Sequence, residues 1–223
     1  QLAAHARNYL VSAFSREIVW AGWTYFLDGP RAERGTVPAL YARRRRLLRL
    51  LLCAVGATLA GWSFAGGSWG ALAWLGFVPL LLLVEDEKPA AAFAWGLLYG
   101  VIRWCAGLPW MHGFVAGFLQ TGPPETAVWV LGLAATQALR WGACAGLAAF
   151  APRPWRGGAF AALALAAEAF WPALLPEPLA YTQLHVPAFV AWGRLTVAEC
   201  VLACNALLAA RRPWSVALAV LLA

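Results

Sequence analysis

Glu168 is the residue whose type and setting could most plainly do chemistry. It is a carboxylate in an otherwise apolar stretch from Ala159 that breaks on Pro172, Pro176 and Pro178. An ionised side chain in apolar surroundings requires a counter-charge, a hydrogen-bond donor or water. Arg103 and Arg140 sit in other apolar runs, and pairing Glu168 with one of them is the simplest solution. Arg194 and Glu199 are five apart on different helix faces, so they are not expected to pair with each other. After the prolines comes Tyr181-Thr182-Gln183, a polar and aromatic ending expected where a buried helix reaches an interface. His112, close to Trp110, and His185, just after Gln183, have no carboxylate within their motifs to orient them as general bases and read as interfacial anchors.

Cys53, Cys105, Cys144, Cys200 and Cys204 all lie in apolar runs without a C-x-x-C pair, which favours neither a zinc site nor a disulfide framework. Cys200 and Cys204 share a helix face, yet no third ligand stands nearby. The cysteines therefore read as small buried hydrophobes, with no metal and no cofactor expected.

These residues must be positioned inside an apolar solvent. Of the 223 residues 62% are hydrophobic and 12% charged, far from the balance of a soluble domain. Fourteen tryptophans suit headgroup level, where the ring is buried and the N–H wet. The net charge of +7 sits in short clusters between apolar runs, with no basic face interleaved with stacking aromatics. That excludes a nucleic-acid binder and makes the clusters orientation signals.

The expected fold is all-α: a polytopic transmembrane helix bundle of about six full spans plus the start of a seventh. Residues 1–42 form a segment of unknown role that carries no secretory signal. In it Val11 to Leu27, interrupted by Arg16 and Glu17, suits an interfacial helix. Residues 43–223 form the transmembrane domain. Arg43 to Arg46 and Arg49 precede a first span, Leu47 to Ala65, and place the N-terminal side in the cytoplasm. Gly66-Gly67-Ser68 turns the chain, and Trp69 to Val84 returns it with Pro79 inside. The Glu85–Pro89 loop starts a third helix, Ala90 to about Phe114, with Arg103 near its middle and Pro109 to His112 closing it. A turn-rich loop, Gln120 to Glu125, leads to a fourth span, Thr126 to Phe150, which holds Gln137 and Arg140. Pro152 to Arg156 is a second basic loop before the fifth helix, Gly158 to about Leu175. A sixth span, about Pro187 to Ala210, is followed by Arg211-Arg212, and Trp214 to Ala223 starts the seventh. Gly96 and Gly100 are spaced for close helix packing within one bundle.

Four places in this order resemble the membrane half of the apolipoprotein N-acyltransferase family. The hairpin Phe64 to Trp69 running into Leu75-Gly76-Phe77-Val78-Pro79-Leu80-Leu81 is similar to its opening pair of helices. Ala92 to Gly100, with Ala106-Gly107-Leu108-Pro109-Trp110, is similar to its third span. Ala167-Glu168, Trp171 and Leu179-Ala180-Tyr181-Thr182-Gln183 resemble its "A-E-W … P-W … L-G-Y-S-Q". Cys204-Asn205-Ala206-Leu207-Leu208-Ala209 resembles its closing "N-A-L-L-A". The shared order covers about 180 residues from Arg43 onward. The chain departs in lacking the glycine before the tyrosine and in carrying Pro176-Glu177-Pro178, and residues 1–42 match nothing in the family.

The resemblance implies a bacterial inner-membrane enzyme that moves an acyl chain from a membrane phospholipid to the N-terminal amine of a lipoprotein. It implies a Glu-Lys-Cys triad in a carbon-nitrogen-hydrolase domain inserted after the seventh span, in cis. No residue of this chain matches the triad, so no catalytic residue is expected here and this stretch by itself is expected to be inactive. Glu168, Tyr181, Gln183, Trp110, Arg140 and Arg103 are the candidates for contact with lipid or substrate. The charged ones among them are also explained by ion pairs that lock helices together. Two rival readings are an anchor of the same ancestry serving a fused polyprenol-phosphate glycosyltransferase, and an unrelated transporter whose pathway Arg103, Arg140 and Glu168 would line.

Overall fold

The computed structural model describes residues 39–65, 67–171, 182–183 and 194–210. Tyr181, His185, the segment Val11 to Leu27 and the run Trp214 to Ala223 lie outside them. Two compact units divide between Leu48 and Arg49, inside the first described helix, α1 (Ala39–Trp62). In the first unit the described side chains Arg43, Arg44, Arg45 and Arg46 are all exposed.

The described part of the second unit is helical throughout. After α1 come two 3-10 turns, Ser63–Ala65 and Gly67–Leu72. They are followed by α2 (Ala73–Gly76), α3 (Val78–Val84), α4 (Pro89–Gly107) and α5 (Met111–Leu119). The chain continues with α6 (Pro123–Ala148), α7 (Arg156–Phe170) and α8 (Arg194–Ala209). The return run expected to be one span is thus broken at Phe77. Pro79 stands at the start of α3, where a missing N–H costs least. The third expected helix is two: Leu108-Pro109-Trp110 separates α4 from α5, because a proline N cannot continue the ladder. Pro123 and Pro124 open α6 inside what reads in sequence as loop. Gln120 ends α5 with φ 52°, the one left-handed residue other than glycine among those described.

One described helix, α4, is long and apolar enough to cross a bilayer by length and composition. Trp69–Val84 and Ala198–Ala209 are shorter apolar stretches. At 26 residues α6 is longer than α4, but Gln137 and Arg140 interrupt its apolar run.

The central pair is α4 against α6. Gly96 and Gly100 make it possible: a Cβ at Gly96 would stand 2.4 Å from the Trp141 carbonyl oxygen, and one at Gly100 would stand 2.7 Å from the Ala138 Cβ. At the far end of α4, a Cβ at Gly61 would stand 2.5 Å from the Arg103 carbonyl oxygen, so α1 and α4 touch backbone to backbone. The hairpin of α6 and α7 and the closing helix α8 complete the packing, with α8 lying against α2, α3 and α7. The core joins Phe77, Leu80, Tyr99, Trp141, Phe160 and Leu202. Large apolar side chains also remain on the outside, including Phe118, Phe150 and Phe170.

The backbone contact at Gly96 gives a direct test. Gly96→Val should lower the thermal unfolding midpoint of the purified protein, with an overpacking cost of about 1–3 kcal/mol or more. Gly113→Ala, where an added Cβ meets nothing within 4 Å, should leave that midpoint unchanged or raise it.

Candidate functional site

The bundle has two chemically different ends. Near one lie the chain reversals after α1 and α4, where Trp62 and Trp69 meet edge to face at 6.0 Å. The ridge of α5 is also aromatic: Trp110, Phe114 and Phe118 follow at helical spacing with ring centroids 6.0 Å apart at each step. All three are more than half exposed, whereas Met111 and Val115 on the opposite face of α5 are buried against Trp104 and Ala134. Gln183 is pinned near this end, with its Nε2 donating to the Gly70 carbonyl at 2.7 Å and to Thr182 Oγ1 at 2.9 Å. Both Thr182 and Gln183 are buried.

The other end is basic. The Arg49 guanidinium donates to the Leu83 carbonyl at 3.0 Å, pairs with Glu87 and lies 5.2 Å from the Trp95 ring. Arg156 joins two helix ends with one side chain. Its Nη1 donates to the Glu85 and Glu87 carbonyls at 2.6 and 3.0 Å, its Nη2 to Ala149 at 2.8 Å and its Nε to Ala151 at 3.2 Å. These are the carbonyls that a helix C-terminus leaves open. Arg153 reaches Asp86 at 3.0 Å in an exposed pair.

A group of buried charges lies in the apolar interior, with Arg103 near the C-terminal end of α4. Arg103 on α4 is 1% exposed and Arg140 on α6 is 4% exposed. Both guanidinium groups face the Trp141 ring, at 5.0 and 4.9 Å from its centroid, and Arg103 also faces Phe64 at 4.8 Å. A desolvated cation over an indole gains about 2 kcal/mol, comparable with the few kcal/mol that a buried arginine costs. The indole is itself held in an aromatic cluster, 4.9 Å from Phe77 and 6.3 Å from Phe160. Glu168 lies on α7 at the i+8 position from Phe160, on the buried face that Ala164 also marks. Helix geometry puts it about 12 Å along α7 from that ring. Arg103, Arg140 and Glu168 each make further interactions, so none of the three stands alone.

The structure therefore brings Arg103 and Arg140 to one ring and sets Glu168 on a helix that packs against α6. Gln183 bonds to Gly70 in the second 3-10 turn, and Trp110 follows the C-terminal end of α4. His112 and Glu199 are exposed. Cys53, Cys144 and Cys204 are buried and Cys105 and Cys200 half-buried, and no group of three His, Cys, Asp or Glu among the described residues could hold a metal ion.

One organising residue escaped the sequence reading. Asn205, fully buried on α8, accepts hydrogen bonds at Oδ1 from the Phe77 and Val78 amides at 2.9 and 3.1 Å. Its Nδ2 donates to the Ala73 and Val201 carbonyls at 2.9 and 2.8 Å. It closes the break between α2 and α3 and so sets the ring of Phe77 against Trp141. Tyr99 adds to this clamp from α4, its hydroxyl donating to the Gly76 carbonyl at 2.9 Å. The available signal was a lone amide in an apolar helix, which must find partners or destabilise the fold.

Residues 56–222 match the family described as the apolipoprotein N-acyltransferase N-terminal domain. A stretch of 74 residues, 33% of this chain, is 38% identical to the apolipoprotein N-acyltransferase of Gloeobacter violaceus and covers 14% of that protein's length.

The Asn205 clamp predicts an ordered series. Asn205→Ala should destabilise the protein by about 1–3 kcal/mol, because two buried amides lose their acceptor. Asn205→Asp should cost more, since a carboxylate oxygen would then face the Ala73 and Val201 carbonyls. Thermal unfolding of the two variants beside the parent checks the order.

Proposed function

The chain belongs to the apolipoprotein N-acyltransferase N-terminal-domain family, and from that premise we propose that it is the membrane-embedded part of an acyltransferase. The enzyme would move an acyl chain from a phospholipid to the N-terminal amine of a lipoprotein. The observation that carries this reading is the family match over most of the chain.

The distribution of side chains supports a membrane setting. A bundle that leaves Phe118, Phe150 and Phe170 more than two-thirds exposed is suited to lipid as its solvent. Its aromatic end suits one headgroup layer and its basic end the cytoplasmic one. In this proposal the chain makes six spans and begins a seventh in a bacterial inner membrane, with Arg43 to Arg46 and Arg156 on the cytoplasmic side. Arg103, with its buried charge, lies in α4, the helix among the described residues whose length and composition suit a full crossing.

The chain's own share of the reaction is to bind and orient. Trp110, Tyr181 and Gln183 would line the outer rim, where lipid and lipoprotein must meet. Arg103, Arg140 and Glu168 would form the charged floor beneath it, stiffened by Trp141. The acyl group leaves the phospholipid's ester oxygen, which departs on the lysophospholipid alcohol, and ends on an amine nitrogen; a cysteine thiolate can carry it between the two as a thioester. None of the five cysteines of this chain is given that part, since each sits in an apolar helix without a partner base in its motif.

Two measurements test the reading. Glu168→Gln in the full-length protein should lower transfer of a labelled acyl chain by about tenfold at normal expression, a barrier change of about 1.4 kcal/mol. Unchanged turnover would assign Glu168 to packing. Accessibility tags at Trp155 and Ala180 should report opposite sides of the membrane, and a shared compartment would overturn the topology.

A further inference from the structure

At the basic end, far from the aromatic rim, the structure contains a cavity of about 300 Å³ between α3, α7 and α8. Its walls are apolar, built from Leu81 and Val84 on one side and Ala206 and Ala209 on the other, and its mouth carries Arg153 and Arg156. We propose that this cavity binds a single phospholipid of the leaflet at this end, with the headgroup phosphate on Arg153 and the glycerol and upper acyl carbons against the apolar walls. The proposal rests on the membrane reading above but not on acyl transfer, and it assigns a site remote from the acyl-transfer candidates.

Several observations select this occupant. The walls and the mouth differ in chemistry as the two halves of a lipid do, and the volume accommodates a glycerophosphate unit together with the start of its chains. The two arginines have different freedom. Arg156 is fixed by the carbonyls of Glu85, Glu87, Ala149 and Ala151 and shapes the rim. Arg153 is 70% exposed, with Asp86 as an equally open partner at 63%, so its pair is weak and exchangeable for a phosphate. Trp155 between them is 71% exposed, which suits an indole at headgroup depth. Glu85 also lines the cavity, giving a rim of both signs and disfavouring a small, multiply charged anion. In sequence, Arg211 and Arg212 follow directly after Ala210, another lining residue.

The test is native mass spectrometry of the full-length protein released from detergent, with phosphatidylglycerol added in one arm, diacylglycerol in a second and glycerol 3-phosphate in a third. The expected result is one retained phosphatidylglycerol per chain, no retained diacylglycerol, and no displacement of the lipid by glycerol 3-phosphate. Arg153→Gln and the cavity-filling Ala209→Phe should each reduce that retention by about tenfold, while gel filtration shows the parent profile. Arg43→Gln/Arg44→Gln should retain the lipid as the parent does. Equal loss in that double variant would mean diffuse attraction to a basic surface and would overturn the site. Retention in Ala209→Phe, or displacement by glycerol 3-phosphate, would overturn it as well. Acyl transfer by Arg153→Gln should match the parent, so loss of retention in the parent with transfer intact would sink the site and leave the enzyme reading standing.

Discussion

The Arg103 guanidinium on α4 reaches the Trp141 ring of α6 because the two helices approach closely, and Arg140, the sequence neighbour of Trp141 on α6, faces the same ring. That approach depends on Gly96 and Gly100, where a Cβ would run into the Trp141 carbonyl and the Ala138 side chain. Small residues on α4 thus decide how near the Arg103 cation comes to the ring beside Arg140. Each guanidinium also makes further interactions, so the indole is one part of what replaces water around it. The indole offers both cations an electron-rich ring, and Phe77 and Phe160 pack against it.

The same logic governs the break at Phe77. A helix interrupted inside an apolar bundle exposes amides and carbonyls that no solvent can satisfy. The Asn205 side chain presents both a donor and an acceptor, which is the pair that such a break requires. Tyr99 adds a single donor to the same break, at the Gly76 carbonyl. A single amide therefore connects the closing helix to the opening hairpin and, through Phe77, to the ring on which the arginines lie.

Much of the helical order was legible because apolar runs separated by proline, glycine and charge leave few alternatives. The third helix was expected to continue past Pro109. It instead stops at Gly107 and a separate helix begins at Met111. The return run was expected to pass Pro79 as one helix, yet the break falls two residues earlier, where Asn205 meets the backbone. The first break is set locally by Pro109, while the second does not follow from periodicity, since it is settled by a partner distant in sequence. The burial of Arg103, Arg140 and Glu168 followed from their apolar neighbours. The ring that gathers the two cations did not, because sequence spacing across two helices carries no register. Asn205 was visible within a motif while its partners were not. Arg156 read as an orientation signal, and its bonds to carbonyls on two loops depend on the turn between α6 and α7.

Those bonds carry a consequence for how the protein is made. The carbonyl ends of α3 and α6 belong to separate hairpins, and Arg156 holds both. During synthesis the earlier hairpin must wait, its last turn unfinished, until the ribosome has delivered seventy more residues. Formation of the first helices and their final seating are therefore distinct events, separated by the time needed to translate the second pair.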